Sequence, residues 1–242
     1  MDTTKKVLVY TLLDRSGSMR ATAAQTVSGY NEYVNALRHD KESEYALSLV
    51  QFDAPRTNPE LTVTYEDRAL ADVADLTNAD FRPRGNTPLY DAIGECIRRI
   101  DARDRGVIML IVTDGEENAS TEFTKDSVKA LISEKEKLGW TFSFLGANID
   151  SYAVSSGIGI PMGNVSNYVA GHERAMYTNM ANATMNRAHS FRTAGLQAST
   201  RSPMISPQAR ANMQNPEQST TPPATGGRPA APPAFRRTWK TN

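Results

Sequence analysis

Residues 7–13 (VLVYTLL) form a short, unbroken apolar run, the pattern of a strand covered on both faces of a sheet. Ala23, Val27, Tyr30, Val34 and Leu37 then recur at spacings of three and four, which predicts an amphipathic helix. Residues 45–52 read as a second strand. Residues 62–66 alternate in character and read as a shorter strand, which its Pro/Asn connection allows to lie antiparallel at an edge. Thr87-Pro88 opens a helix with Leu89, Ile93, Ile97 and Ile100 on one face. Residues 107–113 (VIMLIVT) give the clearest buried strand in the chain. A helix over 125–138, a strand over 140–147 and a weak strand near 165–169 follow. A last helix, over 174–191, carries Tyr177, Met180, Thr184, Ala188 and Phe191 in one stripe.

Strand and helix alternate almost throughout. The expected fold is therefore α/β: Rossmann-like and doubly wound, a mostly parallel sheet with one antiparallel edge strand and helices on both faces. In such sheets the functional crevice lies outside the carboxyl ends of the strands, near the point where the strand order switches.

Beyond Gly195 the pattern stops. Eight of the thirteen prolines fall between Pro203 and Pro233, with no apolar period among them. The expectation is a domain over 1–195 and a disordered, Pro-rich tail over 196–242. Lys+Arg and Asp+Glu balance at 27 each, which gives no global drive toward nucleic acid or an anionic membrane. The balance hides an asymmetry: Arg201, Arg210, Arg228, Arg236, Arg237 and Lys240 face only Glu217 in the tail. That basic tail, ending in Phe235, Arg236, Arg237, Thr238, Trp239 and Lys240, reads as a linker or as a segment that docks on an acidic surface or nucleic acid.

No run approaches the roughly 20 apolar residues of a membrane span. The apolar run after Lys5-Lys6 is followed by no small-residue cleavage site, and a lone cysteine, Cys96, cannot close an internal disulfide. A cytoplasmic location is expected, with Cys96 packed inside a helix.

The chemistry sits where the two best strands end. The first runs into Asp14-Arg15-Ser16-Gly17-Ser18 and the 107–113 strand into Asp114-Gly115-Glu116. Between them in sequence, Gly85-Asn86-Thr87-Pro88-Leu89 starts a helix. All three loops should meet on one edge of the sheet. They offer two carboxylates and three hydroxyls with no nearby His or Cys, and such hard oxygens select Mg²⁺, Mn²⁺ or Ca²⁺ over zinc or copper. In a turning loop Asp14, Ser16 and Ser18 project to one side, and Gly17 lets the chain curl. Each fragment also has a plain structural use: Asp14 and Ser16 as turn or cap residues, Thr87-Pro88 as a helix start, Asp114-Gly115 as a turn. The three together, each behind a strand, favour the metal.

Taken in order over residues 5–190, these motifs resemble the von Willebrand factor A family and its metal-ion-dependent adhesion site. The resemblance implies that Ser16, Ser18 and Thr87 coordinate the ion through hydroxyls and that Asp14 and Asp114 hold it largely through waters. It further implies a binding module, not an enzyme, whose Mg²⁺ grips an Asp or Glu carboxylate of a protein partner within an intracellular assembly. Two other functions use the same crevice: a metal-dependent hydrolase or phosphotransferase, and a structural component whose metal only stabilises the loops. Against the enzyme, no general base stands near the loops, and His39, His172 and His189 are scattered. Arg15 is expected beside the ion, where it could steer an acidic partner, and Glu116 and Glu117 as solvated charges after a turn.

Overall fold

A computed structural model describes residues 6–56, 58–102, 105–147, 151–168, 173–199 and 202–207. Six strands form one sheet in the order β3-β2-β1-β4-β5-β6. They are β1 (Lys6–Asp14), β2 (Glu44–Asp53), β3 (Glu60–Ala69), β4 (Gly106–Thr113), β5 (Thr141–Ala147) and β6 (Val165–Tyr168). Five run parallel, and β3 alone is antiparallel to its neighbour β2. The chain is thus α/β, a Rossmann-like, mostly parallel sheet with an antiparallel edge strand, as the pattern predicts.

Burial explains the arrangement. Every residue of β1 after Lys6 and every residue of β4 is buried, as a strand covered by helices on both faces requires. Side chains of β1 alternate between two cores. Val7, Val9 and Leu13 pack with Tyr30, Tyr33, Met180 and Phe191 of helices α1 (Ala23–Leu37) and α5 (Glu173–Ala194). Leu8, Tyr10 and Leu12 pack with Leu89, Ile93 and Ile97 of α2 (Leu89–Arg99) and Val128 and Ile132 of α3 (Lys125–Lys137). Gly29 makes the α1–α5 contact close, since a β-carbon there would stand 2.2 Å from the Tyr177 ring. Tyr33 and Thr184 share a hydrogen bond across the same interface. Edge strand β3 buries only Tyr65 among its ten residues.

From β1 the chain winds outward through β2 and β3, then crosses back to β4 and continues the other way to β6. The strand order therefore switches between β1 and β4, which puts Asp14 and the loop after Thr113 side by side at the carboxyl edge.

Three features depart from the sequence reading. The edge strand is ten residues long instead of five, because its exposed half carries charges that hide the alternation. A short helix, α4 (Ser151–Gly157), lies in a Ser-rich stretch with no apolar stripe. The domain also continues past Gly195. Leu196 opens α6 (Leu196–Ser199) and packs on the core, and Met204 and Ile205 are buried at 5% and 0% exposure. Met204 N–H donates to Asn164 Oδ1, Ile205 N–H to the Gly163 carbonyl, and Arg187 Nη2 to the Ser202 carbonyl. The boundary belongs after these contacts, and the remaining tail, 208–242, lies outside the described residues. Among the described residues no helix is long and apolar enough to cross a membrane.

Candidate metal site

Asp14 is the last residue of β1 and is fully buried. Its carboxylate is oriented from two sides: Oδ1 accepts from Ser16 N–H at 2.6 Å and Oδ2 from the Thr113 hydroxyl at the end of β4. The chain then turns into a 3₁₀ segment, Gly17–Thr22, which brings Ser16 and Ser18 back over the carboxylate. Ser16 Oγ and Ser18 Oγ lie 2.9 Å apart, and the Ser18 hydroxyl donates to Asp114 Oδ1 at 2.6 Å.

Thr87 joins them through Gly115. A β-carbon on Gly115 would lie 2.7 Å from Thr87 Oγ1, 3.4 Å from Ser18 Oγ and 3.5 Å from Asp14 Oδ2. Oxygens from the β1 loop and from the segment before α2 therefore face one small space beside the β4 loop, and glycine is the residue that leaves it open. Asp14, Ser16, Ser18, Thr87 and Asp114, the five residues singled out in the sequence, are all brought together at this point.

The loops are pinned where they must be. Gly17 N–H donates to the Gly85 carbonyl at 3.0 Å and Arg84 N–H to the Arg15 carbonyl at 2.8 Å. Gly85 has φ +68° and sits against the Ala54 carbonyl, where a β-carbon would clash at 2.2 Å. Thr87 N–H donates to Asn118 Oδ1, and Asn118 N–H returns a bond to the Thr87 carbonyl. Each ligand loop is thus tied to another by main-chain hydrogen bonds.

Two carboxylates share this space. Among the described residues no Lys or Arg forms an ion pair with Asp14 or Asp114. Burial pushes the Asp14 carboxyl up to about 6, against the hydrogen bonds from Thr113 and Ser16 that oppose it. Burial likewise raises Asp114. Desolvated anions of this kind are stabilised by a divalent ion among them. Two carboxylates and three hydroxyls are hard oxygen donors that suit Mg²⁺ or Mn²⁺; among the described residues no group of three or more His, Cys, Asp or Glu is placed to hold a metal, so an ion here would draw on the hydroxyls. The residues present fit such an ion.

A pH dependence follows. Asp14 has a raised carboxyl in the folded chain, so its contribution to stability is fully present below its unfolded value of 3.8 and lost as pH rises through about 6. In the metal-free protein this group alone should cost about 3 kcal/mol at pH 7 relative to pH 3.5. A bound ion must displace the proton. The gain in melting temperature on adding Mg²⁺ should therefore be large at pH 7 and shrink steadily below pH 6. A gain that is constant between pH 7 and 5 would contradict the assignment.

Several side chains behave differently from the sequence reading. Arg15 is buried and turned away from the site: its Nη2 pairs with Asp53 at 2.9 Å and donates to Thr62 Oγ1. The chain packs β3 over it, so it is a strut and not a steering charge. Asp53, fully buried at the end of β2, also accepts from Arg84 Nε at 2.6 Å and ties the β2 end to both ligand loops. Glu117 is a brace instead of a solvated charge. It accepts from the N–H groups of Tyr90, Ala119 and Ser120 and from the Ser120 hydroxyl. Asp91 does the same for the N–H groups of Thr121, Glu122 and Phe123. Sequence reasoning missed Asp53 and Asp91. An acid closing a buried strand, as Asp53 does, was the available signal. Cys96 is buried in the core, as expected.

No family model matches the sequence, and no curated protein matches it. The fold does have solved relatives. The pilus adhesin SpaC of Lactobacillus rhamnosus GG superposes with a TM-score of 0.57 at 13% identity, over 75% of this chain and 30% of that one. A von Willebrand factor type A structure from Catenulispora acidiphila gives 0.52 at 14% identity, over 75% and 43%. The manganese-loaded TRAP protein of Plasmodium vivax gives 0.50 at 15% identity, over 72% of each chain. The chain spans less than half the length of the first two. At these identities the likeness establishes the von Willebrand factor A fold.

Proposed function

We propose that this protein is a non-enzymatic binding module that holds Mg²⁺ among Asp14, Ser16, Ser18, Thr87 and Asp114 and captures an Asp or Glu carboxylate of a protein partner. The observation that carries the reading is the convergence of Asp14, Ser18 and Thr87 oxygens on the space beside Gly115, with Ser18 hydrogen-bonded to both Ser16 and Asp114. When bound, the ion supplies an electrophilic centre that attracts one further anionic oxygen. The chain's part is to hold that centre open. The three hydroxyls are neutral donors, so they leave the ion's charge unspent, while Thr113 and Ser16 N–H fix the Asp14 carboxylate. Mn²⁺ or Ca²⁺ would suit the same donor types. The manganese in the TRAP relative and the adhesin among the others support a divalent ion and a protein partner here.

The enzymatic alternative draws less support. Catalysis would need a group placed to move a proton. His39 lies past the end of α1, before β2 begins, and the ring of His189 meets Arg192, which bonds the Glu42 carbonyl. Both therefore sit at the opposite edge of the sheet from the site. A cytoplasmic setting accords with a single, buried cysteine.

Affinity capture tests the proposal. A partner should be retained by the full chain in Mg²⁺, released by EDTA, and not captured by Asp14→Ala. Equal recovery under all three conditions would remove the metal from the function.

A further inference from the structure

Charge is divided across the carboxyl edge. Arg20, Arg56, Arg82 and Arg84, all exposed, stand on the loops after β1 and β2 and on the segment before α2. On the other side, on the loop after β4, Glu116 is exposed, while Glu117 is held by backbone N–H groups and Glu122 pairs with Arg98 at 2.6 Å. Arg84 is engaged by Asp53 and Glu60, and Arg82 lies beside Asp80. Among the described residues Arg20 and Arg56 form no ion pair.

Arg56 and Arg84 line a polar cavity of about 370 Å³ with Pro55, Asn58 and Glu60. The two segments that carry Arg56 and Arg84 are joined next to it, because Ala54 and Asn86 exchange both main-chain hydrogen bonds, at 2.9 and 3.1 Å. Glu60 neutralises part of Arg84, so Arg56 carries the cavity's uncompensated charge. The cavity adjoins the metal site: Arg84 is three residues from Thr87, so their α-carbons lie within about 11 Å. An extended peptide rises about 3.3 Å per residue and returns its side chains to the same side every second residue.

We infer that the partner presents two carboxylates, one for the metal site and a second, two to four residues away, for the cavity between Arg56 and Arg84. This rests on the proposed metal-dependent capture and adds to it a second subsite and a direction. The exposed Glu116 on the loop opposite disfavours a second carboxylate beside it, whereas Arg56 attracts one, so the segment crosses the site toward β2. Arg20 and Arg82 add long-range attraction that salt screens.

The test uses the full chain loaded with Mn²⁺, whose own binding is first measured by titration. Fluorescent Gly/Ser peptides carry either one Glu or two Glu separated by two to four positions. The second Glu should tighten binding about tenfold in low salt. In Arg56→Gln the two peptides should bind alike, with Mn²⁺ binding retained. Equal affinities in the unmodified chain would overturn the second subsite while leaving the metal reading intact, and so would a gain that survives Arg56→Gln. A gain that persists in EDTA would overturn the shared placement of the two carboxylates. Absence of Mn²⁺ binding would remove the metal reading and this inference with it.

Discussion

Asp53→Ala should destabilise the protein by about 3–5 kcal/mol, the range found when one member of a buried ion pair is removed. Asp53 is fully buried and receives Arg15 at 2.9 Å and Arg84 at 2.6 Å. Without it the Arg15 guanidinium, whose side chain is 9% exposed, is left among apolar and polar groups with Thr62 as its remaining side-chain partner. Asp53→Asn keeps an acceptor and should cost less. Urea unfolding of the two variants measures the difference. A loss under 1 kcal/mol for Asp53→Ala would mean that the loop rearranges to hydrate Arg15.

Cutting the chain after Gly195 should be comparably damaging. Two buried side chains, Met204 and Ile205, leave the core, and each is worth about 1.5–3 kcal/mol. Arg187 loses the Ser202 carbonyl as well. Burial already draws that guanidinium down to about 10, so it has little to spare. A total near 4 kcal/mol is a large share of the 5–15 kcal/mol typical of a domain. Cutting after Pro207 keeps every one of these contacts and should leave the melting temperature unchanged. Equal melting temperatures for both truncations would show that residues 202–207 contribute nothing to the fold.

These two cases mark where the sequence was silent. The ion pair of Arg15 with Asp53 joins residues 38 positions apart through the pairing of β1 with β2, and no local pattern announces it. Met204 and Ile205 make a two-residue apolar island among prolines, too short to register as a period. Glu117 and Asp91 look like surface acids because their partners are backbone N–H groups, which every residue but proline carries. What was legible follows from redundancy. Residues 7–13 and 107–113 are apolar without interruption because both faces of those strands are covered, and the α5 stripe from Tyr177 to Phe191 repeats over four turns. The five candidate ligands were legible because loops leaving adjacent parallel strands must meet at one edge. For Asp14, Ser16, Ser18 and Asp114 this required only that β1 and β4 be neighbours, which the strand order provides; Thr87, before α2, is brought in by the bonds of Asn86 with Ala54 and of Thr87 with Asn118.

The claim that this convergence is a metal site is tested most directly by calorimetric titration of Mg²⁺ at pH 7 into the unmodified chain and Gly115→Ala. Gly115 does not adopt a positive φ, so alanine is tolerated by the backbone, yet its β-carbon falls 2.7 Å from Thr87 Oγ1 and occupies the space the oxygens face. The unmodified chain should bind one Mg²⁺. Gly115→Ala should keep its circular dichroism spectrum and lose the binding heat, as should Asp14→Ala. Equal Mg²⁺ binding by the chain and by Gly115→Ala would contradict the account.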